Sequence, residues 1–211
     1  MNSKEKILEI REDENFYEIG FPEPFTGEAS YTWQNGNRYV GHFLNGDYCG
    51  HGILFFSNGN KYEGQFLQDA FNGQGILYWS NGDRYEGEFS DDMFNGQGTL
   101  YWQNGDKYTG QFKDDQMNGK GIKIWSNGDR YEGEFKNGRI NGAGIFTWSD
   151  GEKYDGNFKN GEFHGKGIKT WVNGDKYVGE FKDGTFHGKG TYYFVNGDKY
   201  VGKFRNGQFQ G

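Results

Sequence analysis

A 23-residue repeat constrains the fold of this chain more than any other feature of its sequence. One tyrosine recurs at this interval without insertion or deletion, at Tyr39, Tyr62, Tyr85, Tyr108, Tyr131, Tyr154, Tyr177 and Tyr200. Self-similarity at a fixed period of about 20 to 50 residues is typical of repeat proteins, in which each unit contacts its neighbours. The sequence therefore predicts an array of small modules rather than one deep core.

Each repeat contains two runs with the pattern of a β-strand. A glycine and a phenylalanine follow each tyrosine at the second and fourth positions, as in Tyr85, Gly87 and Phe89. This period of two is that of a strand. A Gly-x-Gly pair such as Gly73 and Gly75 opens the second run, and Asn-Gly or Asp-Gly precedes the next tyrosine. Asn-Gly between strand-like runs is a strong hairpin signal, so one repeat is one hairpin plus a turn.

The predicted fold class is therefore all-β. We expect an elongated antiparallel β-meander of about eight hairpins over residues 25–211, twisted into a trough or spiral. The hairpins run from Asn35-Gly36 to Asn196-Gly197 and give 16 strands. Aromatic residues make up 19% of the chain, which allows rows of rings to hold the sheet despite a mean hydropathy of -1.01.

Residues 1–24 form an acidic segment in front of the array. Residues 1–30 contain eight acids and three bases, which explains most of the net charge of -7. Residues 3–14 have the pattern of a short helix with Ser3 as N-cap. Together with Pro22 and Pro24, this segment is expected to cover the edge of the first strand. It contains no long apolar stretch or targeting signal, so a cytoplasmic or cytoskeletal location is expected.

The loop length decides which residues share a face. A three-residue loop at 80–82 places Leu77 opposite Tyr85 and brings all fixed residues to one face. A two-residue loop instead places Tyr78 opposite Tyr85 and divides the fixed residues between the faces. We favour the three-residue loop, because a ring that lies over glycine fills the space of the absent side chain.

The spacing Tyr-x-Gly-x-Phe, six residues, Gly-x-Gly and Asn/Asp-Gly resembles the MORN (membrane occupation and recognition nexus) repeat. The resemblance covers residues 25–211, although the family often has tryptophan where this chain has Phe43 and Phe66. It implies a structural protein of cytoskeletal assemblies, which in this family include the radial spokes of the ciliary axoneme. It also leaves open a phospholipid-binding module, or a targeting subunit of an enzyme complex.

The sequence predicts no enzyme and no catalytic, cofactor-binding or metal site. The four histidines have no metal-ligand spacing, and the pairs Asp91-Asp92 and Asp114-Asp115 occupy turn positions. A single cysteine, Cys49, excludes an intramolecular disulfide. The repeats are nearly neutral, which argues against nucleic acid and disfavours an anionic membrane surface as partner.

A basic residue precedes each repeat tyrosine, and an acid often follows two positions later, as in Arg84 and Glu86. We interpret these charges as cross-strand ion pairs on a solvated face, with a ligand-binding stripe as the alternative.

Two surfaces are predicted to hold other proteins of a large assembly. The first is the ring-lined trough, whose contacts are Trp79, Trp102, Trp125, Trp148 and Trp171. The second is the C-terminal edge strand from Tyr200 to Phe204, which is followed only by part of a repeat. An open edge presents unpaired backbone groups, so a second copy or a different protein is expected to complete it.

Overall fold

The computed structural model describes residues 8–11 and 25–210, and these residues form only strands and turns. The chain divides into two compact units, residues 1–103 and 104–211, and each is described by itself. The strands of the first unit are β1 (Leu8–Arg11), β2 (Gly27–Thr32), β3 (Arg38–Leu44), β4 (Asp47–Phe55), β5 (Lys61–Leu67), β6 (Ala70–Tyr78), β7 (Arg84–Ser90) and β8 (Met93–Tyr101).

The second unit continues the same alternation of seven-residue and nine-residue strands. Its strands are β9 (Lys107–Lys113), β10 (Gln116–Ile124), β11 (Arg130–Lys136), β12 (Arg139–Thr147), β13 (Lys153–Lys159), β14 (Glu162–Thr170), β15 (Lys176–Lys182), β16 (Thr185–Tyr193), β17 (Lys199–Arg205) and β18 (Gln208–Phe209). From β2 to β8, and again from β9 to β18, each strand pairs antiparallel with the next. The predicted all-β hairpin array is confirmed.

The N-terminal segment differs from the prediction. Leu8–Arg11 form strand β1, which pairs parallel to β2 with Leu8 opposite Ala29 and Arg11 opposite Thr32. The predicted helix is therefore wrong at these four residues, and its other positions lie outside the described residues. An isolated short helix is marginal in water, whereas the open edge of β2 offers a row of backbone partners.

The loop inside each hairpin has three residues, as predicted. The Trp79 amide donates to the Asp83 carbonyl at 3.0 Å, and the Gly82 amide donates to the Trp79 carbonyl at 3.0 Å. Gly82 has φ +94°, a conformation that favours glycine. Leu77 lies opposite Tyr85, so the fixed residues share one face, which we call the ring face. We call the opposite face the back face.

The turns between the seven-residue and nine-residue strands have only two residues, and both residues have positive φ. Asp91 and Asp92 have φ +50° and +66°, and Asn137 and Gly138 have φ +49° and +75°. This is the geometry of a tight hairpin turn that matches strand twist and favours Asn, Asp and Gly. The prediction that Asp91 and Asp92 occupy a turn is confirmed.

The core is a single layer of rings over glycines. Tyr85 has no exposed surface and stacks on Phe94, with ring centroids 3.8 Å apart. A Cβ atom at Gly98 would lie 2.4 Å from the Tyr85 hydroxyl oxygen, so the ring occupies the space that glycine leaves. The hydroxyl donates to the Glu88 carbonyl at 2.9 Å. The fully buried tyrosines are Tyr39, Tyr62, Tyr85, Tyr108, Tyr131, Tyr154 and Tyr177.

Side chains at the loops also connect one repeat to the next. The Asp83 carboxylate accepts a hydrogen bond from the backbone amide of Gln103 at 2.7 Å. The Asp129 carboxylate accepts one from the backbone amide of Ser149 at 2.9 Å. This backbone hydrogen bond holds the pKa of Asp129 below its ordinary value. Consecutive hairpins within a unit are thus joined at their ends as well as by strand pairing.

Candidate functional site

The ring face of the second unit has a continuous run of partly exposed rings beside the buried tyrosines. Trp125 lies 5.3 Å from Phe146, and Phe146 lies 4.7 Å from Trp148, measured between ring centroids. Further along, Trp171 lies 5.2 Å from Tyr192. We call this run the aromatic row, which consists of Trp125, Phe146, Trp148, Trp171, Tyr192, Phe194 and Tyr200.

A lysine joins the two halves of the aromatic row. The Lys169 ammonium lies 3.3 Å from the ring centroid of Trp148 and 6.0 Å from that of Trp171. Lys169 is only 8% exposed, and it forms an ion pair with Glu152. A cation over the face of tryptophan is attracted by the ring quadrupole. The lysine therefore fills the gap between two tryptophans without leaving its charge unpaired.

A second lysine flanks the other end of the row. The Lys123 ammonium lies 5.1 Å from the Trp125 ring centroid. Burial lowers the pKa of Lys123, and the Asp106 carboxylate opposes this shift. The aromatic row therefore combines flat apolar surface with two ammonium groups. Aromatic residues of this kind are enriched at protein interfaces.

The first unit has a different set of side chains at the corresponding positions. Leu54, Leu77 and Leu100 replace the Lys, Phe and Tyr residues that interleave with tryptophan in the second unit. Trp79 is half-buried and contacts Phe94 edge-on, with centroids 5.9 Å apart. Trp102 is likewise half-buried. The five predicted tryptophans therefore occupy equivalent positions, but Trp79 and Trp102 belong to the first unit.

The two predicted edge residues have very different exposure. Tyr200 is 53% exposed, whereas Phe204 is only 5% exposed and lies 5.0 Å from the Tyr177 ring centroid. The prediction that the strand from Tyr200 to Phe204 is an open edge is wrong at Phe204, because a further short strand pairs there. Gln208–Phe209 form β18, in which Phe209 pairs with Phe204, because the turn before it has the same positive φ values at Asn206 and Gly207.

The repeat bases that form ion pairs on β5, β7, β11 and β13 pair along their own strand, so the predicted cross-strand ion pairs are wrong. Lys61 and Glu63 lie 2.9 Å apart, and Arg130 and Glu132 lie 2.6 Å apart. These partners are two residues apart and point to the same face. Across the strand, Lys61 faces Tyr78 and lies 4.4 Å from its ring centroid. The position opposite each base is thus occupied by a residue that cannot form an ion pair.

The described residues contain no group of three or more His, Cys, Asp or Glu that could hold a metal ion. Within the same ranges, no helix is long and apolar enough to cross a bilayer. Burial, with help from the carboxylates of Glu28 and Asp47, raises the pKa of the Cys49 thiol. A raised pKa leaves less of the reactive thiolate, which fits a structural cysteine.

Sequence reasoning missed Phe146, Tyr192 and Glu152 as parts of this surface. The first two lie two positions before Trp148 and Phe194, on the ring face, at a position that varies between repeats. A search for variable residues in phase with the tryptophans could have found them. The contact of Glu152 with Lys169 spans 17 residues and leaves no such signal.

The fold and this surface define an all-β hairpin-repeat protein with a ring-lined face. The MORN repeat model matches residues 25–38, 39–61, 62–84, 85–107, 108–130, 131–153, 154–176, 177–199 and 200–211. The chain therefore belongs to the MORN repeat family, whose repeats are modules that bind proteins or membranes. No curated protein sequence is a significant match to it.

Solved structures give only weak likenesses. The TCP domain of SAS-4 (dCPAP) from Drosophila melanogaster, in complex with a proline-rich motif of Ana2 (dSTIL), is 13% identical, with 88% of this chain and 96% of that chain covered and a TM-score of 0.46. The G-box domain of the microcephaly protein CPAP is 12% identical, with coverage of 85% and 100% and a TM-score of 0.44. At these TM-scores the likenesses carry no argument about function.

Proposed function

We propose that this chain is a non-enzymatic scaffold that holds other proteins of a cytoskeletal assembly on the aromatic row of its second unit. The observation that carries the proposal is the continuity of the row from Trp125 to Tyr200 around the paired Lys169. Rigid rings that are already ordered lose little conformational entropy on binding, which favours them as contact residues.

Family membership supports the cytoskeletal part of the proposal. The assembly that we propose is the radial spoke of the ciliary axoneme, which is one of the assemblies that contain MORN repeat proteins. The Lys123 ammonium beside Trp125 suits a partner segment that presents apolar side chains together with a carboxylate, whereas the Lys169 ammonium is already paired with Glu152.

The proposal can be tested by affinity purification from the native cells with the tagged full chain as bait. We expect Trp125→Ala to lower the recovery of specific partners at least about tenfold, as expected for the loss of an aromatic anchor. Trp79→Ala is the matched control, because it truncates the equivalent residue of the first unit. Far-UV circular dichroism would show that both variants remain folded.

The rival site is the predicted C-terminal edge at β17, where β18 pairs only with Phe204 and Arg205. If deletion of residues 198–211 abolishes partner recovery while Trp125→Ala leaves it intact, the edge is the binding site and the aromatic row is not.

Flotation with phosphatidylserine vesicles separates the scaffold from a membrane-surface module. We expect the chain to stay with the unbound protein, and co-flotation would contradict the scaffold proposal.

A further inference from the structure

The back face of the second unit becomes apolar toward its C-terminal end. Strand registers place Ile168, Val178, Thr191 and Val201 side by side across β14–β17, and we call them the apolar strip. Val201 is 62% exposed and Ile168 is 40% exposed. Val178 and Thr191 are partly exposed, and Thr191 contributes its methyl group beside a hydroxyl. A contiguous row of this kind marks an interaction surface more often than a scattered apolar residue does.

The strip arises from a substitution at one repeat position. In four of the six earlier repeats the position holds an acid, Glu63, Glu86, Glu132 or Asp155, which pairs with the base two residues before it. Val178 and Val201 hold this position in the last two repeats. Lys176 lies instead 5.0 Å from the ring centroid of Tyr193, the residue opposite it on β16.

The same substitutions leave a surplus of positive charge around the apolar strip. The back-face rows that include and flank the strip on β14–β17 contain one acid, Glu180, and five lysines: Lys166, Lys176, Lys189, Lys199 and Lys203. The equivalent rows on β10–β13 balance three bases against three acids. We call the strip with its lysines the cationic face, with a net charge of +4 from five lysines and one acid.

The one acid of the cationic face, Glu180, is held against the backbone. Its carboxylate accepts a hydrogen bond from the backbone amide of Lys189 at 3.3 Å, at the irregularity between β15 and β16. Shallow depressions lie along the strip, one lined by Ile168 and Val178 and another by Thr191 and Val201. The cationic face is thus an apolar floor with ammonium groups on both sides.

We propose that the cationic face binds residues 12–24 of a second copy of this chain. That segment contains five acids and no lysine or arginine, and it also contains Phe16, Tyr17, Ile19 and Phe21. The acids match the flanking lysines, and the apolar side chains match the floor and its depressions. The segment lies in the sequence between β1, which pairs with β2, and Phe25, whose ring lies 5.8 Å from that of Phe43, and both flanks belong to the first unit.

This contact joins different surfaces of two copies, and such contacts either close into a ring or continue into a filament. It does not depend on the aromatic row, so it goes beyond the scaffold function proposed above. Its charge complementarity predicts that self-association weakens as salt rises.

The test is sedimentation velocity of the full chain over a range of protein and salt concentrations. We expect concentration-dependent self-association that Val178→Asp with Val201→Glu weakens at least about tenfold. This variant restores residue types that the equivalent positions Asp155 and Glu132 already carry, so we expect it to fold. Thr109→Glu, which adds an acid to the same row on β9, is the control and should associate like the wild type.

A second variant tests whether residues 12–24 are the segment that binds the cationic face. Exchange of Glu12, Asp13, Glu14 and Glu18 for the corresponding amides should weaken self-association as much as the double variant does, whereas Trp125→Ala should not affect it. A wild-type chain that stays monomeric at all concentrations overturns the proposal, and so does self-association that either set of substitutions leaves unchanged. The proposal also fails if Val178→Asp with Val201→Glu abolishes only binding to phosphatidylserine vesicles, since the face would then bind lipid.

A synthetic peptide of residues 12–24 distinguishes binding within one chain from binding between copies. If the wild type is monomeric and the peptide binds only to the amide variant, the segment occupies the face of its own chain and the second-copy proposal is wrong.

Discussion

Gly133→Val is expected to unfold the second unit or to lower its free energy of unfolding by more than about 4 kcal/mol. A Cβ atom at this position would lie 2.4 Å from the Tyr131 hydroxyl oxygen and 2.5 Å from the Gly144 Cα atom. The ring could move only by giving up its hydrogen bond to the Glu134 carbonyl at 3.0 Å, and the strand could move only by breaking its pairing.

Thermal unfolding followed by circular dichroism measures this effect. A loss of this size corresponds to a decrease of more than about 15 °C in the melting temperature of a unit of this length. Lys136→Ala is the control, because Lys136 is an exposed residue of the same strand and its truncation should change the free energy by less than about 0.5 kcal/mol. Equal melting temperatures for the two variants would mean that the rings do not depend on the glycines beneath them.

Alkaline pH is expected to unfold both units cooperatively between about pH 10 and 12. Burial raises the pKa of Tyr131 and of Tyr177 to about 12, and it also raises the pKa of Tyr39, Tyr62, Tyr108 and Tyr154. Above pH 10 the unfolded chain loses these protons while the folded chain retains them. Each buried tyrosine then lowers the free energy of unfolding by about 1.4 kcal/mol per pH unit until its folded-state pKa is reached.

The measurement is tyrosinate absorbance and far-UV circular dichroism recorded on the same samples during an alkaline titration. We expect the buried tyrosines to ionise only in the transition that destroys the sheet. The same titration in denaturant is the control, in which all 15 tyrosines should ionise together near pH 10. Complete ionisation of the tyrosines without a change in circular dichroism would contradict the ring layer.

Most of the fold could be predicted from the sequence because it is specified locally. Asn81-Gly82 fixes the loop through the left-handed conformation of Gly82, and that loop sets the register of Leu77 with Tyr85. The glycines on the same face as Tyr85 then indicate where its ring lies. These sequence features lie within one repeat, and they recur in every repeat at the 23-residue period.

The features that sequence reasoning missed depend on contacts between distant residues or on weak local signals. Leu8–Arg11 form a strand because β2 provides an open edge, and their own pattern does not distinguish a strand from a helix. The ion pair of Lys169 with Glu152 and the cationic face emerge only once the strand registers are known. The net charge of the repeats gave no sign of the cationic face, because repeats that are nearly neutral as a whole can still have an excess of one charge at one end of a unit.

The central claim is that each repeat is held by a tyrosine ring that lies across a pair of glycines on neighbouring strands. The most direct test is the nuclear Overhauser effect between the ring protons of Tyr131 and the Hα protons of Gly133 and Gly144, which this geometry places in contact. We predict strong cross-peaks to both glycines, with Hα resonances shifted upfield by the ring current. Glycine resonances at ordinary chemical shifts, without cross-peaks to the ring, would contradict the account.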